Sequence, residues 1–119
     1  MIKIILLGQI EQNKQQLVLV RNLKGKLDPK IQISFAGEGI DSRELINEIK
    51  KTKGFYYLGF KKDNIDLLSK FDYVLSFSKR EGLGLSLIEG SMLSKPLIVN
   101  NSKDSAAREI CKNGENGYI

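Results

Sequence analysis

Residues Tyr73–Asn100 read YVLSFSKREGLGLSLIEGSMLSKPLIVN. Tyr73–Phe77 (YVLSF) is a short apolar run that reads as a strand. A polar loop with glycines at 82 and 84 follows, and Leu85–Leu93 then reads as a helix. Pro96 cannot continue that helix; it restarts the chain as the strand Leu97–Asn100 (LIVN). Strand, crossover helix and second strand of these lengths make a βαβ unit, whose strands run parallel.

Outward from this unit the same alternation reaches both ends of the chain. Ile2–Leu7 (IKIILL), Ile31–Ala36 (IQISFA), Phe55–Leu58 and Gly117–Ile119 read as strands. Helices are expected over Asn13–Lys24, Ser42–Lys51, Asn64–Lys70 and Ser105–Lys112, with Ser42 and Asp63 as N-caps. Near-continuous apolar strands such as IKIILL fit a sheet covered on both faces. The predicted fold is α/β: a Rossmann-like three-layer sandwich with a mostly parallel sheet of five or six strands. Ligands of such sheets bind beyond the carboxyl ends of the strands. The loops to read for function are therefore Gly8–Lys14, Gly37–Asp41, Gly59–Asp63, Ser78–Gly84 and Asn101–Ser105.

Composition bounds the chemistry. The 119 residues suit a single domain over 1–119, and 41% apolar with 28% charged residues describes a soluble globular chain. No apolar run approaches the ~20 residues of a membrane span. Met1–Leu7 is too short for a signal peptide and reads as a strand. With no histidine, His-based acid–base catalysis and His-ligated metal sites are excluded within this chain; the single Cys111 excludes an internal disulfide and a thiolate cluster. Cys111 reads as packing. The net charge of +5 favours anionic partners without choosing among them. Aromatic residues do not interleave with Lys and Arg as a base-stacking platform needs, so no nucleic-acid partner is expected. A receiver-type domain would need acidic residues after the first strand, where this chain has Gly8-Gln9-Ile10.

In the loop after the fourth strand, Gly82 and Gly84 let backbone approach a ligand, and the helix that opens behind them offers free amides to an anion. Glu89, further along that helix, can accept two hydrogen bonds from a vicinal diol such as a ribose. Gly90 and Ser91 are small enough for the helix to sit close to the sheet. The loop lacks both the third glycine of a dinucleotide fingerprint and the lysine of a P-loop.

The run EGLGLSLIEGSMLSKPLIVNN, followed by Glu109 and GENGYI, resembles the C-terminal, donor-binding domain of retaining GT-B glycosyltransferases of family 4. That family carries Glu-Gly-Phe-Gly, a helix with a second Glu, then Gly-x-Pro-Val-Ile. Further matches come in the family's order: Gly8-Gln9-Ile10 through Lys14, Phe35-Ala36-Gly37-Glu38-Gly39, Tyr57-Leu58-Gly59-Phe60, and Asp72-Tyr73-Val74 through Ser78.

The resemblance implies a glycosyltransferase that moves a sugar from a nucleotide-diphosphate donor to a glycan or lipid-linked acceptor with retention, this chain supplying the donor half. Glu81, with the amides of Gly82, Leu83, Gly84 and Leu85, would hold the sugar and diphosphate; Glu89 would bind the ribose. Lys14 would neutralise the diphosphate leaving group, beside Gly8 and Gln9. Phe60 and Lys61 would meet the base. The donor would be a UDP- or GDP-sugar. No metal and no cofactor are expected, the lysine standing where other families use a cation. The family's acceptor site lies on an N-terminal domain, so the chain is expected to be a fragment of a larger two-domain enzyme, inactive alone. That enzyme would be cytoplasmic, or in peripheral contact with the inner face of a membrane. Gln9 stands where the family has arginine, which motivates the alternative of a non-catalytic nucleotide-binding Rossmann-like module. Ser102-Lys103-Asp104-Ser105 replaces the family's Gly-Gly before Glu109, which is read as structural, and Ser94 replaces the Gly of Gly-x-Pro.

Overall fold

The structure, a computed structural model, describes residues 1–80, 85–101 and 107–119, and for 108 and 109 the backbone alone. The strands are β1 (Ile2–Leu7), β2 (Ile31–Ala36), β3 (Phe55–Gly59), β4 (Tyr73–Ser76), β5 (Leu97–Val99) and β6 (Gly117–Tyr118). They form one 6-stranded sheet in the order β3-β2-β1-β4-β5-β6. Every pairing is parallel, as the alternation predicts.

The helices are α1 (Gln16–Leu23), α2 (Ser42–Lys50), α3 (Asn64–Ser69), α4 (Leu85–Met92) and α5 (Ala107–Ile110). Right-handed crossovers divide them between the faces. Steps from β1 to β2 to β3 put α1 and α2 on one face, where Leu19, Val20 and Leu45 pack with Ile4, Leu6 and Phe35. Steps from β3 across to β4 and onward put α3, α4 and α5 on the other, where Leu68, Leu87 and Ala107 pack with Ile5, Val74 and Leu97. Ile4 and Ile5 thus enter different cores, which is why IKIILL shows no alternation.

Gly90 brings α4 down onto the sheet: a Cβ there would lie 2.7 Å from Val74 Cγ2. Asp63 caps α3 as expected, its Oδ1 accepting from Asp66 N at 2.9 Å. Ser42 does not cap α2. Its hydroxyl accepts from Gly39 N at 2.9 Å, closing the turn after β2, and Asp41 is the N-cap residue without a side-chain bond. Helix α1 starts at Gln16 rather than Asn13, because Gln15 sits in the left-handed region at φ 60. Helix α5 ends at Ile110 rather than Lys112, since the Asn116 side chain donates to Ile110 O at 2.9 Å and accepts from Lys112 N at 2.6 Å. Ser94 is more than a neutral replacement of glycine: it takes φ 57, a conformation that costs roughly 1–2 kcal/mol for a residue with a Cβ.

Candidate functional site

Strand order reverses direction between β1 and β4, and the crevice at their carboxyl ends is where an open α/β sheet binds ligands. The loops there are joined mainly through backbone. Gly8 N donates to Ala36 O (2.9 Å), Ile10 N to Glu38 O (3.1 Å), Asp41 N to Ile10 O (3.0 Å) and Gly37 N to Gly59 O (2.9 Å). Glycine is required where the turns touch. A Cβ on Gly37 would sit 2.0 Å from Gly8 O, and one on Gly39 would sit 2.3 Å from Ile10 O.

Three side chains after β1 hold this arrangement, and sequence reasoning missed them all. Gln16 is only 1% exposed. Its Nε2 donates to Gln9 O at 2.7 Å, and its Oε1 accepts from Glu11 N at 3.4 Å. An amide in the apolar stripe Gln16-Leu19-Val20-Leu23 was the available signal. Gln15 Nε2 donates to Phe77 O at 2.6 Å. Asn13 Nδ2 donates to Arg80 O (2.9 Å), its Oδ1 accepts from Arg80 N (3.0 Å), and its carbonyl accepts from Lys79 N (2.8 Å). The loops that follow β1 and β4 are therefore clasped across the switch point. Gln15 itself sits in the sparsely populated left-handed region, at φ 60.

Lys14 doubles back over Gly8: a Cβ on Gly8 would meet its Cε at 3.4 Å, its Cδ at 3.6 Å and its Nζ at 3.9 Å. The predicted cation thus stands at the carboxyl end of β1. Beside it opens a cleft of about 360 Å³. Gly8 and Gln9 line it from the β1 loop, Gly37 and Glu38 from the β2 loop, and Phe60 and Lys61 from beyond β3. Phe60 is 62% exposed and lines the cleft. Four predicted binding residues from two distant segments meet in this one cavity. Glu38, between the two glycines of the β2 loop, and Asn64, at the start of α3, line it as well.

Leu85 and Glu89 do not line this cleft; they lie on α4, Leu85 exposed at its first position and Glu89 half-buried further along. Glu81, Gly82, Leu83 and Gly84 lie outside the described residues, as does the side chain of Glu109. Among the described residues no three His, Cys, Asp or Glu side chains gather as metal ligands would. No described helix is long and apolar enough to cross a membrane. Cys111 is buried in the core on the α4 face, where burial pushes its thiol up from the ordinary value, in keeping with a packing role.

The family model described as glycosyl transferases group 1 matches residues 2–119. This chain belongs to that family. EpsD of Bacillus subtilis is 29% identical over 113 residues, covering 92% of this chain and 29% of that protein. The O-antigen biosynthesis glycosyltransferase WclY of Escherichia coli is 35% identical over 75 residues, covering 60% of this chain and 21% of WclY. The chain thus spans less than a third of these curated relatives. Among solved structures, HepE of Anabaena, in complex with UDP and glucose, superposes with a TM-score of 0.81 at 21% identity, over 98% of this chain and 33% of that one. The lipopolysaccharide outer core galactosyltransferase WaaB superposes at 0.83 and 17% identity, over 99% of this chain and 35% of that one. Both share the fold of this group 1 domain, and both identities are too low to carry more.

Proposed function

We propose that this domain is the donor-binding half of a retaining glycosyltransferase that takes its sugar from a UDP- or GDP-linked donor and passes it to a glycan or lipid-linked acceptor. The observation that carries the reading is Lys14 folded over Gly8, at the switch point and beside the Phe60 cleft. Family membership and the UDP-bound state of HepE support it.

In this reading the base lies in the cleft against Phe60 and the backbone of Lys61. The diphosphate lies toward Lys14 and the amides that open α4. Glu89 accepts from the ribose hydroxyls, and Glu81 stands by the sugar. Charge builds on the leaving diphosphate as the glycosidic bond breaks, and fixed cations and amides aimed at it lower the barrier without reorganising. Acceptor binding falls to an N-terminal domain, so the 119 residues alone hold only one of two reactants in place. The site of action is the cytoplasm or the inner face of its membrane.

Calorimetry of the chain with UDP and with GDP tests the binding half. Weak binding of one or both is expected, and binding of neither overturns the proposal. In the full-length protein, Glu89→Ala is expected to raise KM and Glu81→Ala to lower kcat; indistinguishable profiles would remove these roles. Robust transfer by the isolated chain would overturn the division of labour.

A further inference from the structure

The edge of the sheet opposite the cleft carries a dense group of lysines. Lys24, Lys26 and Lys30 lie between α1 and β2; Lys50 ends α2, and Lys51 and Lys53 lie between α2 and β3. All are exposed. The two segments are packed together: Ile33 N donates to Gly54 O at 2.8 Å, and a Cβ on Gly54 would meet Leu27 Cδ2 at 2.7 Å. The two lysine-bearing segments therefore share one corner of the molecule. Among the described residues none of the six lysines forms a salt bridge. The nearby acids of α2 are taken up by Arg21, which holds Glu44 at 2.7 Å and Glu48 at 3.5 Å. Asp28, the acid within the first segment, accepts from Lys30 N at 2.8 Å. Six lysines against Asp28 give these two segments a charge of +5, and the Arg21–Glu44–Glu48 group beside them carries −1.

The residue types narrow the partner. Every cation here is lysine, a flexible point charge, with no arginine fork for bidentate recognition of a single phosphate. Neither segment, KGKLDPK nor KKTK, contains an aromatic residue on which a base could stack. An array of mobile charges on two adjoining turns suits an anion spread over an area, such as a layer of acidic lipid headgroups, where each lysine adds to the attraction. We propose that this corner is a docking surface for a bilayer rich in acidic phospholipid. Docking here leaves the cleft open, since the length of β1, about 20 Å, separates the two edges.

Co-sedimentation of the chain with phosphatidylcholine vesicles, with and without phosphatidylglycerol, tests this. Binding is expected only with phosphatidylglycerol and is lost in high salt. The triple variant Lys50→Gln, Lys51→Gln, Lys53→Gln, confirmed folded by circular dichroism, is expected to partition about 100-fold less. Lys24→Gln, Lys26→Gln, Lys30→Gln is the second variant, should the first not fold. Binding that ignores phosphatidylglycerol, or a folded triple variant that binds as wild type, overturns the proposal. Tighter binding to a DNA duplex than to the acidic vesicles also overturns it, and assigns the corner to nucleic acid.

Discussion

Asn13 and Arg80 exchange two hydrogen bonds, Asn13 Nδ2 donating to Arg80 O at 2.9 Å and Arg80 N donating to Asn13 Oδ1 at 3.0 Å. The pair joins the loop that follows β1, which carries Lys14, to the loop that follows β4. A side chain satisfying both backbone groups of one residue acts as a short piece of strand pairing, at a place where the sheet has already ended.

Asn13→Ala removes both bonds. The pair is exposed and water can replace its groups, so the loss of stability is expected to stay near 1 kcal/mol by chemical denaturation. Nucleoside diphosphate affinity measured by calorimetry is expected to fall several-fold if the phosphates bind between these two loops as proposed, because the loops are no longer held in register. Unchanged affinity in a folded variant would separate the clasp from binding.

Gly37→Ala places a Cβ 2.0 Å from Gly8 O, at φ +136. The β1 and β2 loops cannot both keep their positions, and a loss of more than ~3 kcal/mol or failure to fold is expected. Gly25→Ala is the matched control. It shares a left-handed φ of +72 but meets nothing within 4 Å, so about 1–2 kcal/mol is expected. Equal melting-curve shifts for the two variants would show that contact between the loops is unimportant.

Lys14→Ala and Gln9→Arg change the charge at one point in opposite directions. In the full-length protein Lys14→Ala is expected to slow transfer by roughly 10²–10³-fold, about 3–4 kcal/mol, with a smaller loss in donor affinity. In the isolated chain Gln9→Arg is expected to tighten nucleoside diphosphate binding, since Gln9 lines the cleft and lies next to Gly8. Both effects should shrink with salt. Equal calorimetric affinity of wild type and the two variants would place the phosphates elsewhere.

Burial raises the pKa of Cys111 above its ordinary value of 9.0. The folded protein keeps the thiol neutral at pH values where the unfolded chain ionises it. Stability is therefore unaffected below about pH 9 and declines as pH rises past the thiol's ordinary value. Iodoacetamide labelling of Cys111 is expected to be slow in the native protein and to accelerate with unfolding. Fast labelling under native conditions would contradict its burial.

The parallel sheet was legible because periodicity is a local signal: IKIILL, YVLSF and LIVN declare strands, and Pro96 declares the restart. Gly8, Gln9, Phe60 and Lys61 were found through family motifs, and the structure puts them around one cleft. The clasp was not legible. Asn13 and Gln15 look like ordinary helix-start residues, and only the folded chain brings Arg80 and Phe77 within their reach. Ser42 misled for a similar reason: a serine before an apolar stripe fits a cap, but the turn made by Gly39 claims its hydroxyl first. Gln16 could have been found, since an amide among Leu19, Val20 and Leu23 demands buried partners, and a loop just upstream is the nearest supply.

The residues that line the Phe60 cleft all precede residue 65, whereas the clasp that closes the crevice waits for Lys79 and Arg80. On a ribosome, where the chain emerges amino end first, β1, β2 and β3 with their intervening helices can assemble while β4 is still being made. In the proposed reading, the nascent protein would own the cleft for a base and Lys14 before it owns the α4 amides that complete the phosphate site. Misfolding at this stage would expose the flank of β1 that β4 later covers, so the interval between the third and fourth strands is when a chaperone would have most to shield.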